Sequence, residues 1–545
     1  MAGGEAPELR DVLIVGAGFG GIHALARLRD GLGLDALLLD AGAGPGGTWY
    51  WNRYPGARCD VESLQYSFSF SDALQQEFDW TERFAAQPEI LRYAEFVVDR
   101  LDLARSMRFD TRVASAVWDE DAACWTLTAS DGRAWRARWV IMATGPLFAT
   151  HLPDFPGLKD FAGEVYHTGA WPHEPVSFAG KRVAVLGTGS SGVQVSAALA
   201  GEAEQLYVLQ RTPAHIVPAG NRPLGAAERA EVRARHGELR AQWNAQPGAV
   251  MYASLPPAEP VLPANPVSAL AVTPEERKAV FERAWAYGGY ALHRAFTDLL
   301  TDERSSMLAT EFLRGKVAEI VKDPATAEAL APRTLYGTKR LILATGFYEM
   351  FNQPNVALVD LYRHPLKRFT KAGFETENGH YAVDAVVFAT GFDALTGSLT
   401  RIDIRGRGGR SLKDEWARGP HTYLGMMTAG FPNLFMVGGP QSCSALANVI
   451  TANEQQVEWF AECIAEMERR GVTTMEPGEA AQAEWGRLID ELAGPSMVAK
   501  GDNWYLGANI PGKARAILLF VGGFPAYKAH CDAEAARGYR SFALA

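Results

Sequence analysis

Apolar and polar positions follow one another in two similar blocks of the chain. In the first block, an apolar run at residues 11–16 (DVLIVG) ends in glycine, helical spacing continues to about Arg29, and a second apolar run at 36–39 ends in Asp40. Short apolar runs bounded by glycine are typical of buried strands, so this block predicts a strand–helix–strand unit. Residues 182–210 repeat the pattern as RVAVLG, a helix-like stretch over 191–200, and QLYVLQ. Strands that alternate with helices indicate an α/β fold.

The remaining chain divides into a helical part and a part with further strands. Residues 221–330 are rich in Ala, Glu, Arg and Leu and have helical periodicity, for example over 275–302 and 303–321. This composition predicts a helical insertion with little strand. Later patterns predict strands at 339–345, 384–390 and 433–437, and a helix over 451–470 whose apolar side carries Val457, Phe460, Ile464 and Met467.

Composition excludes several classes of protein. The 545 residues suggest three or four folding units, at about 150 residues per unit. A net charge of −10 and the lack of a basic block argue against nucleic acid as a partner. The five cysteines are widely spaced and form no C-x-x-C pair, so we expect a reducing compartment and neither a disulfide scaffold nor a metal site. There is no signal-like start and no apolar run of membrane length, which predicts a cytoplasmic protein that does not contact membranes.

Glycine-rich loops follow the first strand of each block. The loops read Gly16-Ala17-Gly18-Phe19-Gly20-Gly21 and Gly187-Thr188-Gly189-Ser190-Ser191-Gly192, and both match G-x-G-x-x-G. Chance alone gives about 0.5 matches in a chain with this glycine content, so the match depends on its setting between strand and helix. Such a loop lets backbone N–H groups and a helix N-terminus approach a pyrophosphate, although a sharp turn in an empty α/β domain would read the same way. A third match at 42–47 runs into TWYWNRYPG rather than a helix, and we reject it as a dinucleotide fingerprint.

The residue types after the two loops predict different dinucleotides. Asp40 lies about 20 residues after the first loop, where a carboxylate accepts hydrogen bonds from ribose hydroxyls, which suits FAD or NAD. The second block ends in Gln210-Arg211-Thr212 and has no acidic residue there. A guanidinium at Arg211 would bind a 2′-phosphate, which a carboxylate would repel, so the second site is predicted to prefer NADP(H). The alternative for Arg211 is a solvated arginine at a strand end.

A specific motif lies immediately before the second block. Residues 161–172 (FAGEVYHTGAWP) match F-x-G-x-x-x-H-x-x-x-W-P, a pattern that chance gives at roughly 10⁻⁴ matches in this chain. At these residues the chain resembles the Baeyer–Villiger monooxygenases, and the closest resemblance is to the phenylacetone monooxygenase branch. Further matching segments lie in family order along the whole chain: GGTWYWNRYPGARCD (46–60), GTGSSGVQ (187–194), QRTP (210–213), YGTKR (336–340), FATGFD (388–393), SCSALAN (442–448) and WYLGANIPGK (504–513).

The resemblance implies an architecture as well as an activity. We expect two Rossmann-like domains, one for FAD and one for NADP, with a helical insertion at residues 221–330. The FAD domain would combine residues 1–145 with 385–545, which include a mobile C-terminal loop, and the NADP domain would combine 152–220 with 331–384. The implied reaction uses NADPH, FAD and dioxygen to convert a ketone into an ester or lactone, through a peroxyflavin anion and a tetrahedral adduct. The resemblance also implies a monomer or a weak homo-oligomer.

Two residues are implied to be catalytic. Arg340 in YGTKR would stabilise the negative charge of the peroxyflavin and of the adduct, because a guanidinium keeps its charge near neutral pH. Asp60 would contact the nicotinamide side and orient Arg340; its alternative is the N-cap of a helix that begins with Val61-Glu62-Ser63-Leu64. Structural ion pairing is the alternative for Arg340.

Other matched residues are implied to bind the cofactors. Lys339 would bind the 2′-phosphate, and Trp504 would donate a hydrogen bond to NADP(H) from a closing loop. The flavin would be lined by Thr48, Trp49 and Tyr66. The remaining residues predicted to bind cofactors are the glycine-loop residues above with Arg58, Gln194 and Thr212. Core or surface packing is the alternative for these side chains.

His167 and Trp171 of the motif are expected to hold the linker geometry rather than to perform chemistry. One segment departs from the family pattern: ATGFYEMFN (344–352) stands where polar or acidic residues are more common, so the exact placement of Arg340 depends on the local packing of Thr345-Gly346-Phe347. A flavin monooxygenase acting on sulfur or nitrogen remains an alternative, but it would lack the Trp171-Pro172 ending. A pyridine-nucleotide-disulfide reductase needs a close cysteine pair, and a flavoprotein used only as a binding module has no feature here that favours it.

Overall fold

The computed structural model describes residues 8–248 and 267–545. Its first sheet has eight strands, and one of its inner strands is Leu9–Val15, in which Val12, Leu13 and Ile14 are completely buried. A strand buried on both faces needs apolar residues at successive positions, which explains the continuous run seen in the sequence. The strands, in spatial order, are Asp403–Arg405, Val113–Asp119, Cys124–Ala129, Ala134–Met142, Leu9–Val15, Ala36–Leu39 and Met107–Arg108, and Leu434–Met436 also pairs with Ala134–Met142.

The second sheet is entirely parallel. Its strands, in spatial order, are Val356–Asp360, Gln205–Gln210, Arg182–Leu186, Ala385–Phe388 and Glu164–His167. The predicted boundary between the NADP domain and the second part of the FAD domain, at residues 384 and 385, is wrong. Strand Ala385–Phe388 belongs to the second sheet and not to the first. It pairs with Glu164–His167 on one side and Arg182–Leu186 on the other. The sequence could not show this, since a buried apolar strand reads the same in either sheet.

Shorter strands pair outside these two sheets. Ile216–Pro218 pairs in parallel with Ile342–Ala344, and Met475–Pro477 pairs antiparallel with Phe542–Leu544. A three-stranded ribbon consists of Leu366–Thr370, Gly373–Thr376 and Gly379–Ala382.

Helices surround the sheets and form the insertion. The α-helices are Phe19–Leu25, Thr48–Trp51, Asp72–Glu77, Gln87–Arg100, Ser190–Leu199, Ala226–Ala234, His236–Asn244, Pro274–Tyr287, Glu303–Ile320, Pro324–Leu330, Gly397–Thr400, Leu412–Glu415, Val449–Arg470, Glu479–Ala493 and Phe524–Ala536. A π-helical turn, Ala26–Gly31, continues the first of them. The 3₁₀ turns are Ala104–Ser106, Leu158–Asp160, Thr168–Ala170, Gly289–Arg294, Glu349–Asn352, Arg407–Gly409, Met497–Lys500 and Trp504–Leu506. None of the helices in the described ranges combines the length and the apolar character that crossing a membrane requires.

The described part of the predicted insertion consists of helices, and residues 249–266 of it lie outside the described residues. The helical pattern over 275–302 is interrupted, which the sequence prediction missed. Helix Pro274–Tyr287 begins with a capping box between Thr273 and Glu276 and ends at Gly288. An added Cβ at Gly288 would lie 2.6 Å from Pro218 O, and φ there is +75°, so only glycine fits this close turn.

The long helix Val449–Arg470 connects the fold to the site. Its predicted apolar side is confirmed, because Val457, Phe460, Ile464 and Met467 are completely buried. Asn448 caps the helix by accepting a hydrogen bond from Ile450 N at 3.2 Å, and it donates to Gln65 O at 2.6 Å. The loop before this helix is thereby held against the segment that follows the 46–60 fingerprint.

Candidate active site

The first glycine loop leads directly into helix Phe19–Leu25, whose N-terminus has no side-chain cap. A Cβ on Gly21 would lie 1.8 Å from Gly16 O, so the loop closes only because glycine stands there. Asp40 accepts hydrogen bonds from Ala17 N and Gly42 N, each at 2.6 Å. Burial raises the pKa of the Asp40 carboxyl, and the two backbone N–H groups oppose that rise. Asp40 therefore braces the loop, while its predicted contact with a ribose remains a prediction.

The second glycine loop has the same construction. Helix Ser190–Leu199 begins after Gly189 and has no side-chain cap, and a Cβ on Gly192 would lie 1.9 Å from Gly187 O. The space beyond Gly189 is open, because a Cβ there would meet nothing within 4 Å. Thr188 Oγ1 donates to Thr212 O at 3.4 Å, which connects the loop to the end of strand Gln205–Gln210. Uncapped helix N-termini with open space in front of them suit the phosphates of a dinucleotide.

The 46–60 fingerprint lies between the two loops. Tyr54 Oη donates to Gln194 Oε1 at 2.8 Å, and Gln194 Nε2 donates to Arg58 O at 3.1 Å. The fingerprint is thus bonded to the helix of the second glycine loop. The Arg58 guanidinium does not face that helix, since it donates to Glu82 Oε2 at 3.0 Å and to Phe84 O at 2.7 Å.

Aromatic side chains of the same fingerprint pack toward the first loop. Trp49 Nε1 donates to Tyr66 Oη at 3.1 Å, and their rings meet edge to face. Tyr66 in turn packs edge to face against Phe19, which follows Gly18. Thr48 begins the short helix Thr48–Trp51 next to this group. These residues form a largely apolar wall beside the first glycine loop.

Asp60 and Arg340 form an ion pair. Arg340 donates to Asp60 Oδ2 from Nη2 at 2.6 Å and from Nε at 2.9 Å. The third guanidinium nitrogen, Nη1, donates to Ala445 O at 3.2 Å in the 442–448 loop. About a quarter of each side chain is accessible, 26% for Asp60 and 28% for Arg340. The residues directly after Asp60 do not form a helix, because the next helix begins at Asp72, so the N-cap alternative is wrong.

Two tyrosines that the sequence reasoning missed surround this pair. Tyr290 Oη donates to Asp60 Oδ2 at 2.8 Å, and its ring lies 5.9 Å from the Arg340 guanidinium carbon. Tyr505 lies beside Arg340 on the side of the C-terminal turn. Burial by itself lowers the pKa of Arg340, but Asp60 and both tyrosines outweigh it and raise that pKa well above its usual value. Tyr505 is adjacent to the predicted Trp504, which was the signal available in the sequence.

Arg211 and Lys339 form a second basic group. Burial lowers the pKa of Lys339, the nearby charge of Arg211 lowers it further, and Asp502 opposes both. Two neighbouring cations repel each other unless an anion joins them. Their position beside the second glycine loop fits the predicted 2′-phosphate.

The predicted C-terminal loop packs over the ion pair. Asn503 Nδ2 donates to Thr338 O at 2.9 Å and so fastens the turn Trp504–Leu506 to the 336–340 segment. The Trp504 ring lies against Tyr505, with centroids 4.1 Å apart. In the 442–448 loop, Ala445 and Leu446 keep part of their surface accessible, while Ser442 is completely buried.

The side chains of His167 and Trp171 contact residues near them in the second sheet and the turn that follows it. His167 Nδ1 accepts a hydrogen bond from Gly169 N at 3.0 Å, and burial lowers the pKa of its imidazole. Trp171 is 5% exposed and stacks on Tyr166 at 5.2 Å within the core of the second sheet. In the departing segment, Phe347 enters that same core, and the pairing of Arg340 with Asp60 is present alongside it.

The arrangement offers a fixed cation beside an apolar wall, between two loops suited to dinucleotides. Next to the first glycine loop, Asn453 Oδ1 is buried without a hydrogen-bond partner among the described residues. Together with the uncapped helix N-termini, this acceptor fits a bound cofactor that supplies donors. Within the described ranges, no group of three or more His, Cys, Asp or Glu side chains could hold a metal ion.

The known proteins that are similar to this chain include several monooxygenases. A profile of the family described as pyridine nucleotide-disulphide oxidoreductase matches residues 10–251. A Baeyer–Villiger monooxygenase from Pseudooceanicola batsensis is 41% identical over 97% of this chain and 95% of its own. The phenazine N-monooxygenase PhzNO1 from Lysobacter antibioticus is 40% identical over 98% of this chain and 97% of its own. The closed crystal structure of a cyclohexanone monooxygenase has a TM-score of 0.95 at 43% identity and covers 99% of this chain and 100% of that one.

Proposed function

From the premise that this chain belongs to the Baeyer–Villiger monooxygenases, we propose that its active site lies where Arg340 meets Asp60. The protein is an FAD- and NADPH-dependent oxidoreductase that inserts one oxygen atom next to a ketone carbonyl to give an ester or lactone. The observation that carries the proposed site is the ion pair between these two residues, which contacts Tyr290 and the 442–448 loop.

The first glycine loop and the aromatic wall would hold FAD. The residues are Gly16, Gly18, Gly21, Asp40, Thr48, Trp49 and Tyr66. Arg58 would stabilise the fingerprint through its hydrogen bonds to Glu82 and Phe84. The second loop would hold NADP(H) through Gly187, Thr188, Gly189, Ser190, Ser191, Gly192, Gln194, Arg211, Thr212, Lys339 and Trp504. When bound, the flavin supplies the oxygen transfer and the nicotinamide supplies the hydride.

The chain's own contribution is electrostatic. The Arg340 guanidinium stays protonated and would stabilise the negative charge that develops on the carbonyl oxygen of the ketone. Asp60 would fix the direction of that guanidinium, because two of its three nitrogens already contact Oδ2. The buried ring of Tyr505 and the partly buried ring of Tyr290 would limit the entry of water to the pair. Exclusion of water would prevent the unproductive release of hydrogen peroxide in place of ester.

The 442–448 loop and the turn after Asn503 would shape the ketone pocket. Ala445 and Leu446 offer small and apolar surface close to Arg340, which suits a ketone rather than a charged substrate. Relatives are named for acetone, cyclohexanone and cyclopentanone, and we propose a neutral ketone here without choosing among ring and chain forms. All five cysteines lie in the described ranges, and each is buried and unpaired, which supports our proposal of a reducing, cytoplasmic setting.

The test supplies the FAD-loaded protein with NADPH, ¹⁸O₂ and a panel of ketones, and measures label in the product by mass spectrometry. One ¹⁸O atom in an ester or lactone is expected. The panel includes a sulfide and an aromatic N-heterocycle, because one relative is named for N-oxidation. NADPH oxidation that yields only hydrogen peroxide with every ketone, or label only in the sulfoxide or N-oxide, would contradict the proposal.

A further inference from the structure

Three hydrogen-bond donors converge on one oxygen of Asp60. Arg340 Nη2, Tyr290 Oη and Arg340 Nε lie 2.6, 2.8 and 2.9 Å from Oδ2. An arginine fork facing a carboxylate commonly uses both oxygens, one for each N–H group. Here both N–H groups share a single oxygen with the tyrosine, so the rotation of the carboxylate is not the one that the ion pair alone would favour.

Tyr290 is placed with precision by the break in the helical insertion. Gly288 and Gly289 have φ of +75° and +60°, and the chain then turns through Gly289–Arg294, which brings Tyr290 toward Asp60. The Tyr290 ring stacks on His293, with centroids 5.4 Å apart and planes 6° apart. His293 Nδ1 is 2.7 Å from Tyr336 Oη, which fixes the stack from the other side.

The protonation states suit this arrangement. Burial, with the charge of Asp60, raises the pKa of Tyr290 well above its usual value although Arg340 opposes the rise, so the hydroxyl keeps its proton and donates. Burial and the charge of Arg340 lower the pKa of His293 to about 4. A neutral imidazole therefore stacks on Tyr290, and His293 does not compete with Arg340 for the carboxylate.

We propose that Tyr290 is a positioning residue for ketone oxidation: its hydroxyl holds Asp60 Oδ2 and thereby sets the direction in which Arg340 presents its Nη1 edge to the substrate. This inference rests on the proposed active site. Nη1 makes the longest of the three guanidinium contacts, 3.2 Å to Ala445 O, and it points to the loop that would line the ketone pocket. Without the tyrosine hydroxyl, the carboxylate is free to rotate and to take the fork with both oxygens, which turns the guanidinium away from that loop.

The test replaces the hydroxyl alone, with Tyr290→Phe in the FAD-loaded full chain. Phenylalanine keeps the partly buried ring, its stack on His293 and its place beside Arg340. We expect kcat for ester to fall about tenfold with the ketone KM within twofold, while more of the NADPH consumed yields hydrogen peroxide, because the hydrogen bond that orients Asp60 is lost. A crystal structure of the variant is expected to show both Asp60 oxygens in contact with Arg340.

Tyr527→Phe is the matched control, because Tyr527 is a completely buried tyrosine whose hydroxyl donates to Leu424 O at 2.6 Å in the core around the first sheet. It should change the ester-to-peroxide ratio by less than twofold. For Tyr290→Phe, an ester-to-peroxide ratio within twofold of the wild type, or a carboxylate that still meets Arg340 through one oxygen, would overturn the inference. If Arg340→Ala forms ester near the wild-type rate, the proposed active site itself fails; if Arg340→Ala is strongly impaired and Tyr290→Phe forms ester normally, only the inference on Tyr290 fails.

Discussion

Arg340 and Asp60 lie 280 positions apart in the chain and meet at 2.6 Å between Nη2 and Oδ2. Arg340 follows the helical insertion, and Asp60 ends the fingerprint that is bonded to the helix of the second glycine loop. The pair therefore joins segments from both nucleotide-binding units. The geometry of the ion pair depends on how these units pack against each other. Substitution of neighbouring residues that position Asp60 or Arg340 should therefore alter the pair.

Removal of the guanidinium should strongly slow oxygen insertion while leaving the fold intact. We expect Arg340→Ala to lower kcat for ester formation on the order of 10²–10³-fold, because a preorganised charge at a developing oxyanion is worth that much in other enzymes. Product analysis by gas chromatography measures it. Arg340→Lys should recover little, since an ammonium cannot form the fork with Asp60. Arg368→Ala, an exposed arginine paired with Glu375, is the control, and ester formation by Arg340→Ala near the wild-type rate would contradict the assignment.

The basic pair at the second loop should decide between NADPH and NADH. Arg211→Ala and Lys339→Ala are each expected to raise KM for NADPH about 10- to 100-fold and KM for NADH less than twofold, because a charge-assisted hydrogen bond to the phosphate is lost. Stopped-flow measurement of flavin reduction gives both values. Arg182→Ala, at the opposite end of the strand that leads into the loop, should leave both unchanged. Equal loss of NADPH and NADH would refute the phosphate assignment.

Lys339 should also give the preference for NADPH a pH dependence. Its pKa lies below the usual range for lysine because of burial and Arg211, so its charge is present at low pH and is lost as the pH rises through the lowered value. The ratio of kcat/KM for NADPH to that for NADH should therefore decline as the pH rises from neutral toward the usual lysine pKa of about 10.4. Lys339→Arg should flatten this decline, since a guanidinium does not titrate there. A wild-type ratio that is constant over this range would contradict the prediction.

Trp171 should contribute to stability rather than to chemistry. We expect Trp171→Ala to reduce the free energy of unfolding by about 3–5 kcal/mol, because removal of a large buried ring leaves a cavity in the core of the second sheet. Urea titration followed by circular dichroism measures the loss. Tyr362→Ala removes an exposed ring over Arg333 and should cost at most about 1 kcal/mol. Normal stability of Trp171→Ala combined with loss of ester formation would show a catalytic role instead.

Local sequence determined the parts of this protein that depend on near neighbours. Apolar runs predicted the central strands, and glycine at positions 21 and 192 allowed two loops that no larger residue could close. The apolar side of helix Val449–Arg470 was read correctly because helical spacing places its residues on one face. Motif resemblance extended this to the family and to candidate residues such as Arg340 and Lys339.

Tertiary structure decided what depends on segments distant in the chain. Strand Ala385–Phe388 joined the second sheet because its partners lie in the strands Glu164–His167 and Arg182–Leu186, and an apolar strand carries no mark of its partner. Tyr290 reached Asp60 because two glycines end a helix that the periodicity would have continued. The sequence determines which side chains carry a charge, but the distance between two charges is fixed only when the whole chain has folded.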